Sequence, residues 1–251
     1  MRKTVGYHFI CLLMSLMPVS SVSAFPLPER LEFEISYSGI PAGRAVQEAT
    51  MQGDEMHIVS TARSAPWLKL FFPVDDRIES ILTEVAQPHF IGIPRLYRER
   101  IHEGWTRFHK EADFDRQKLV VKTTDFRKNN ETKVQKITPK TYDTLSSFYY
   151  FRTVGLQVGA SYFIDIFDCK KLWNTEVKVL RREEIETPLG RFKTVVIQPI
   201  LKSQGIFART GDMFIWLTDD ERRIPVLMKS KVRIGSITAT LVGGSYWPGK
   251  K

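Results

Sequence analysis

The chain is poor in the residues that most often carry chemistry. It has two cysteines and five histidines among 251 residues. Cys11 lies in an apolar stretch near the start, so Cys169 is the one cysteine in the rest of the chain. A lone cysteine forms no internal disulfide and is ordinarily a small buried apolar side chain. A reactive thiol needs an electropositive, exposed setting, and only Lys170 and Lys171 hint at one. Beyond the first stretch the histidines are His57, His89, His102 and His109, and none stands at ligand spacing from a second donor. A zinc site needs three or four converging ligands. No Gly-x-Ser-x-Gly elbow and no phosphate-cradling glycine loop occurs. Asp75-Asp76 and Asp219-Asp220 are adjacent carboxylates, but neighbours on a strand point to opposite faces. The expectation is a non-enzyme with no catalytic residue, no metal and no cofactor.

A hydrophobic run of membrane length is also missing. Phe9–Val19 is apolar apart from Ser15 and Pro18, about half of the roughly 20 residues needed to span a bilayer. Arg2 and Lys3 precede it, and Ser20-Ser21-Val22-Ser23-Ala24 follows. A cationic start, an apolar middle and a small-residue exit are the parts of a secretory signal. Residues 1–24 are therefore expected to be a cleaved signal peptide, with no membrane span after cleavage. Cleavage would remove Arg2 and Lys3 from a chain whose formal net charge is +9. The remaining basic residues are spread out, with the densest groups at Arg95–Arg100, Lys110–Arg116, Lys170–Lys171 and Arg222–Arg223. Acidic neighbours accompany each group, which reads as a solvated surface. Export argues against nucleic acid and leaves acidic envelope components as partners for a basic surface.

What the sequence has in quantity is strand. Leu31, Phe33, Ile35 and Tyr37 alternate with polar residues, the period of two that gives a strand one apolar face. Turn residues at Gly39–Gly43 and Gln52–Asp54 separate it from strands at 44–51 and 56–62. Further strands are expected at 76–85, 95–102, 105–113, 118–125, 161–167, 175–187, 192–201, 211–217, 226–234 and 237–246. Gly235-Ser236 reads as a two-residue hairpin loop, with Val232 and Ile234 placed on the strand before it. Lys128–Glu131 reads as a polar loop. No linker divides the chain, so residues 25–251 are expected to form a single β-rich domain.

Two stretches break the rhythm. Ala65–Pro73 is short, aromatic and bounded by prolines. Tyr142–Val154 predicts a helix, with Asp143 as N-cap and Leu145, Phe148, Tyr149 and Arg152 at helical spacing. Many antiparallel strands and one helix imply a large curved sheet, a barrel or half-barrel, with the helix packed against its concave side. Phe148, Tyr149, Tyr150 and Phe151 cannot all point inward from one helix. Trp67, Leu70, Phe71 and Phe72, with Phe148, Tyr149 and Arg152, are the candidate residues for an apolar ligand. Such sites are mostly apolar with a few polar groups for orientation. Arg152 is also placed to pair with a strand carboxylate.

From Asp143 to Arg152, Asp-Thr-Leu-Ser-Ser-Phe-Tyr-Tyr-Phe-Arg followed by Gly159, the sequence resembles the bacterial exported family DUF3108, a domain of unknown function. Arg182–Phe192, Ile215–Asp220, Arg223–Val226, Gly235-Ser236-Ile237 and the Tyr37–Gly43 hairpin fit the same resemblance. It implies a Gram-negative periplasmic location and supplies no activity. The functional expectation is non-enzymatic binding of a lipid or glycolipid of the envelope. The alternative is a structural or assembly protein docked on an envelope protein partner.

Overall fold

The computed structural model describes residues 25–86, 90–200, 213–232 and 234–248. The expected leader, His89, Leu201 and residues 211–212 lie outside them. The first part of the chain is a meander: β1 (Glu29–Tyr37), β2 (Ile40–Gln52), β3 (Glu55–Ser64), β4 (Asp75–Thr83), β5 (Ile93–Glu103), β6 (Thr106–Asp115), β7 (Val120–Asp125) and β8 (Glu131–Lys136). A short helix, α1 (Pro66–Lys69), interrupts it between β3 and β4. Then come β9 (Thr141–Asp143) and α2 (Thr144–Thr153). A second meander follows, of β10 (Ser161–Phe167), β11 (Leu172–Thr187), β12 (Gly190–Ile200), β13 (Met213–Thr218), β14 (Pro225–Lys231) and β15 (Ser236–Gly244). First strand pairs with last, β1 with β15, and this joins the halves into one 15-stranded sheet. Neighbours are antiparallel except for the parallel pair β9 and β10.

The fold is the expected one, a mainly β curved sheet around a helix, and the sheet is not closed. β8 and β9 stand at its two ends. β9 lies against β5 instead, so β6, β7 and β8 project past the seam. Irregularities in pairing on β1, β4, β11 and β13 bend the sheet, as an extra residue in one strand does. Three local expectations are corrected. β8 was missed because its residues are polar on both faces, and five of its six are exposed. The helix starts at Thr144, because Tyr142 and Asp143 belong to β9. β14 ends at Lys231; Val232 and Ile234 belong to the turn, which the Val232 N–H closes on the Gly235 carbonyl at 3.2 Å.

Asp143 caps α2 as its sequence predicts. Its carboxylate accepts the Leu145 and Ser146 N–H groups at 2.9 and 2.8 Å, and the Ser146 hydroxyl accepts the Asp143 N–H at 3.0 Å. A reciprocal cap of this kind stabilises by about 1 kcal/mol. The Ser80 hydroxyl donates to the same carboxylate at 2.6 Å, which fixes the helix start to β4. Around α2 the core gathers Met56, Ile58, Leu82, Phe114, Phe167, Val177, Val195 and Leu217 with Tyr149 and Phe151. A second cluster holds Leu31, Phe33, Val196, Trp216, Ile224 and Leu241. Val195 is registered with Leu217 and Val196 with Trp216, on opposite faces. β12 and β13 are thus buried on both sides, which is why their apolar runs are continuous and do not alternate.

Candidate functional site

The inner face of the sheet changes character along its strands. Residues directly opposite each other in an antiparallel pair share a face. At one end the inner pairs Ala49–Ile58 and Met56–Leu82 are fully buried. Toward the other end the inner pairs Ala45–Ala62, Ser60–Ile78 and Ile101–Phe108 are only half buried. We call these the closed end and the open end. The helix explains the difference. Its start is fixed at Ser80 and at Tyr97, whose hydroxyl meets Thr144 Oγ1 at 2.6 Å. It runs from there to the closed end and leaves the other half of the inner face without a plug.

At the closed end Arg152 and Glu29 form a bidentate pair, 2.6 Å on each arm, with both side chains 0% exposed. The Tyr246 hydroxyl also donates to Glu29 at 2.6 Å. Arg152 donates further to the Arg222 carbonyl and lies 4.1 Å from the centre of the Phe25 ring. Burial works against its charge, and Glu29 more than offsets that, holding the guanidinium above its ordinary pKa. Burial likewise pushes the neighbouring Tyr149 phenol up, and Glu29 adds to this. This corrects the reading of Tyr149 and Arg152 as ligand-facing: both are sealed in the core and hold the helix to β1.

The remaining candidates separate into two places. Phe148 lines a cavity of about 200 Å³ between α2 and the inner face, with Phe33, Ala45, Gln47, Ser60, Leu145 and Met228. The small side chains at Ala45 and Ser60 make the space. Trp67, Leu70, Phe71 and Phe72 are exposed on and after α1, at the rim of the open end. Sequence spacing could not divide them, because nothing local tells which aromatic run faces the sheet.

A larger trough of about 520 Å³ lies where β6–β8 project past the seam. Arg107, Lys110, Arg127, Lys128, Lys133 and Lys170 line it against Asp125 and Glu131, together with Phe108 and Cys169. Beside it Glu99 is registered with Lys110. Burial raises the Glu99 carboxyl to about 7, although Lys110 opposes the shift. Burial and the adjacent Asp76 raise Glu103 to about 7 as well. Burial pushes the Cys169 thiol far up, so it is not a thiolate at neutral pH. Sequence reasoning missed Glu99, Glu103 and Lys110. The one signal was their alternation with Tyr97, Ile101 and Ala112, which places charges on an apolar face. Among the described residues no group of three or more His, Cys, Asp or Glu is placed to hold a metal ion, and no helix is long and apolar enough to cross a membrane.

No curated protein matches the chain. Its fold is similar to the crystal structure of a beta-barrel-like protein of the domain of unknown function DUF1849 from Brucella abortus. The TM-score is 0.55 at 12% identity, over 87% of this chain and 97% of that one. That likeness shows the fold alone. The family model described as protein of unknown function (DUF3108) matches residues 32–242, most of the sequence, and the chain belongs to that family.

Proposed function

We propose that the protein is a non-enzymatic binder of an amphipathic ligand with an acidic head, held on the open half of the inner face. One observation carries the reading: the inner face is buried at Ala49, Met56, Ile58 and Leu82, opens into the cavity beside α2 at Ala45, and is half exposed beyond, at Ala62, Ile78, Ile101 and Phe108. The cavity beside Phe148 is smaller than the roughly 300–1,000 Å³ of a complete small-molecule site, so it takes the end of an apolar chain. The polar end then falls to the basic trough, which shares Phe108 and Lys110 with the inner face. The signal-like start of the sequence supports a periplasmic setting and a lipid or glycolipid of the envelope as the ligand.

Docking of a protein partner on the sheet edge is the weaker reading. The edge strand β8 carries Lys133 and Lys136, and charges of this kind discourage edge-to-edge pairing.

Solvent extraction of the protein purified from the periplasmic fraction, followed by mass spectrometry, is expected to recover a co-purifying amphiphile. Ala45→Trp or Met228→Trp fills the cavity and is expected to abolish binding of a fluorescent fatty acid. Unchanged binding in both folded variants, or absence of the protein from the periplasmic fraction, would overturn the reading.

A further inference from the structure

The rim of the open end is built from four turns that hold one another. The Tyr37 hydroxyl donates to the Ile234 carbonyl at 2.6 Å, tying the β14–β15 turn to the β1–β2 turn. Trp67 Nε1 donates to the Pro41 carbonyl at 3.0 Å, and the Ala65 N–H to the Ala42 carbonyl at 2.7 Å. The Gly104 N–H donates to the Pro73 carbonyl at 2.8 Å, tying the β5–β6 turn to the α1 segment. Gly104 has φ +55°, and a Cβ there would sit 2.6 Å from the Phe72 ring, so only glycine lets Phe72 lie across the turn.

These turns point their large apolar side chains outward. Leu70 is 83% exposed, Phe71 80%, Trp105 100% and Ile234 76%. A single exposed apolar residue is ordinary, whereas a contiguous set marks a contact surface. Charge identifies the contact. Lys69 is the one ionisable residue between 65 and 74. Arg127, Lys128, Lys170 and Lys171 are exposed at the same end. These four cations outnumber the two acids beside them, Asp125 and Asp168, and the Lys171 and Lys170 ammonium groups lie 3.5 and 5.5 Å from the centres of the Trp173 and Phe108 rings. Tryptophan and leucine tips flanked by cations suit the interface of an anionic bilayer, where the rings enter the headgroup layer and the cations meet phosphates.

We propose that this rim docks on the surface of an anionic phospholipid bilayer, inserting Leu70, Phe71 and Trp105, with the open end facing the lipid. The inference goes beyond ligand binding and does not depend on it. Flotation of the purified protein with vesicles of phosphatidylethanolamine and phosphatidylglycerol tests it, with phosphatidylcholine vesicles alongside. Binding to the anionic vesicles, with a blue shift of tryptophan emission, is expected. Leu70→Ser and Phe71→Ser are each expected to weaken it by about tenfold, from the burial each side chain loses. Lys128→Gln and Lys170→Gln are each expected to cost about fivefold. Ala45→Trp, which closes the cavity, is expected to leave flotation unchanged. No binding, equal binding to phosphatidylcholine, or binding indifferent to Leu70→Ser with Phe71→Ser overturns the proposal. Self-association abolished by those two substitutions, without flotation, also overturns it and assigns the rim to a second copy.

Discussion

The closed and open ends are made from the same strands and differ in what their inner positions carry. At the closed end β2–β4 present Ala49, Met56, Ile58 and Leu82 inward, and all are buried in the cluster that holds α2. The charge sealed there is a matched pair, Arg152 with Glu29, whose hydrogen bonds are completed by Tyr246 and the Arg222 carbonyl. A few residues further along, the inner positions are Gly43, Ala45, Ala62 and Ser60, then Asp76, Glu99 and Lys110. Small side chains leave room, and burial raises the carboxyls there, of which Asp76 and Glu103 meet each other and Glu99 faces Lys110, with no bidentate pair like that of Arg152 and Glu29. One sheet thus combines a half built for stability with a half that is underfilled. Underfilling is costly unless something else occupies the space, so the contrast bears on function.

Substitutions can break this contrast, and the largest effect belongs at the closed end. Arg152→Leu strands Glu29 in the core and is expected to cost about 3–5 kcal/mol in urea unfolding. Glu29→Leu with Arg152→Met should recover most of that, since a buried pair and an apolar replacement are often comparable. A small effect of Arg152→Leu alone would show that water reaches the closed end.

The open end should announce itself through pH. Glu99 and Glu103 are raised to about 7 in the folded protein, from an ordinary value of 4.5. Between those values the unfolded chain has released protons that the folded one keeps, so stability is expected to fall as pH rises across that window and to level off above it. Glu99→Gln and Glu103→Gln are expected to flatten the slope, read from urea midpoints at a series of pH values. An unchanged slope in the double variant would place its source elsewhere. The smallest effect is expected at the rim: Leu70→Ser and Phe71→Ser should change stability by less than about 0.5 kcal/mol, because exposed side chains contribute little to folding. A larger loss would mean that the rim is part of the core.

Much of the fold was legible where residues speak locally. Leu31, Phe33, Ile35 and Tyr37 declared a strand by alternation, and Asp143 declared a helix cap by its chemistry and position. β8 was not legible, because a strand polar on both faces has no period to read. Neither was the end of β14, because Val232 and Ile234 continue an apolar alternation that the turn interrupts. For the candidate site, the apolar residues were visible and their grouping was not. Phe148 and Tyr149 are neighbours in sequence, yet one lines a cavity and the other is sealed beside Glu29. Glu99 and Lys110 looked like ordinary surface charges until pairing placed them inside.

The sequence by itself determined the strand-and-turn rhythm, the single helix of the concave side and its cap, and membership of a family that the residue pattern already resembled. Each depends on interactions within a few residues, which spacing records. Only the tertiary structure decided that the sheet stays open, that α2 covers one half of its inner face, that Arg152 pairs with Glu29 from the far end of the chain, and that four separate turns form one apolar rim. Those outcomes depend on contacts between residues distant in sequence, and no local pattern encodes which of them will meet.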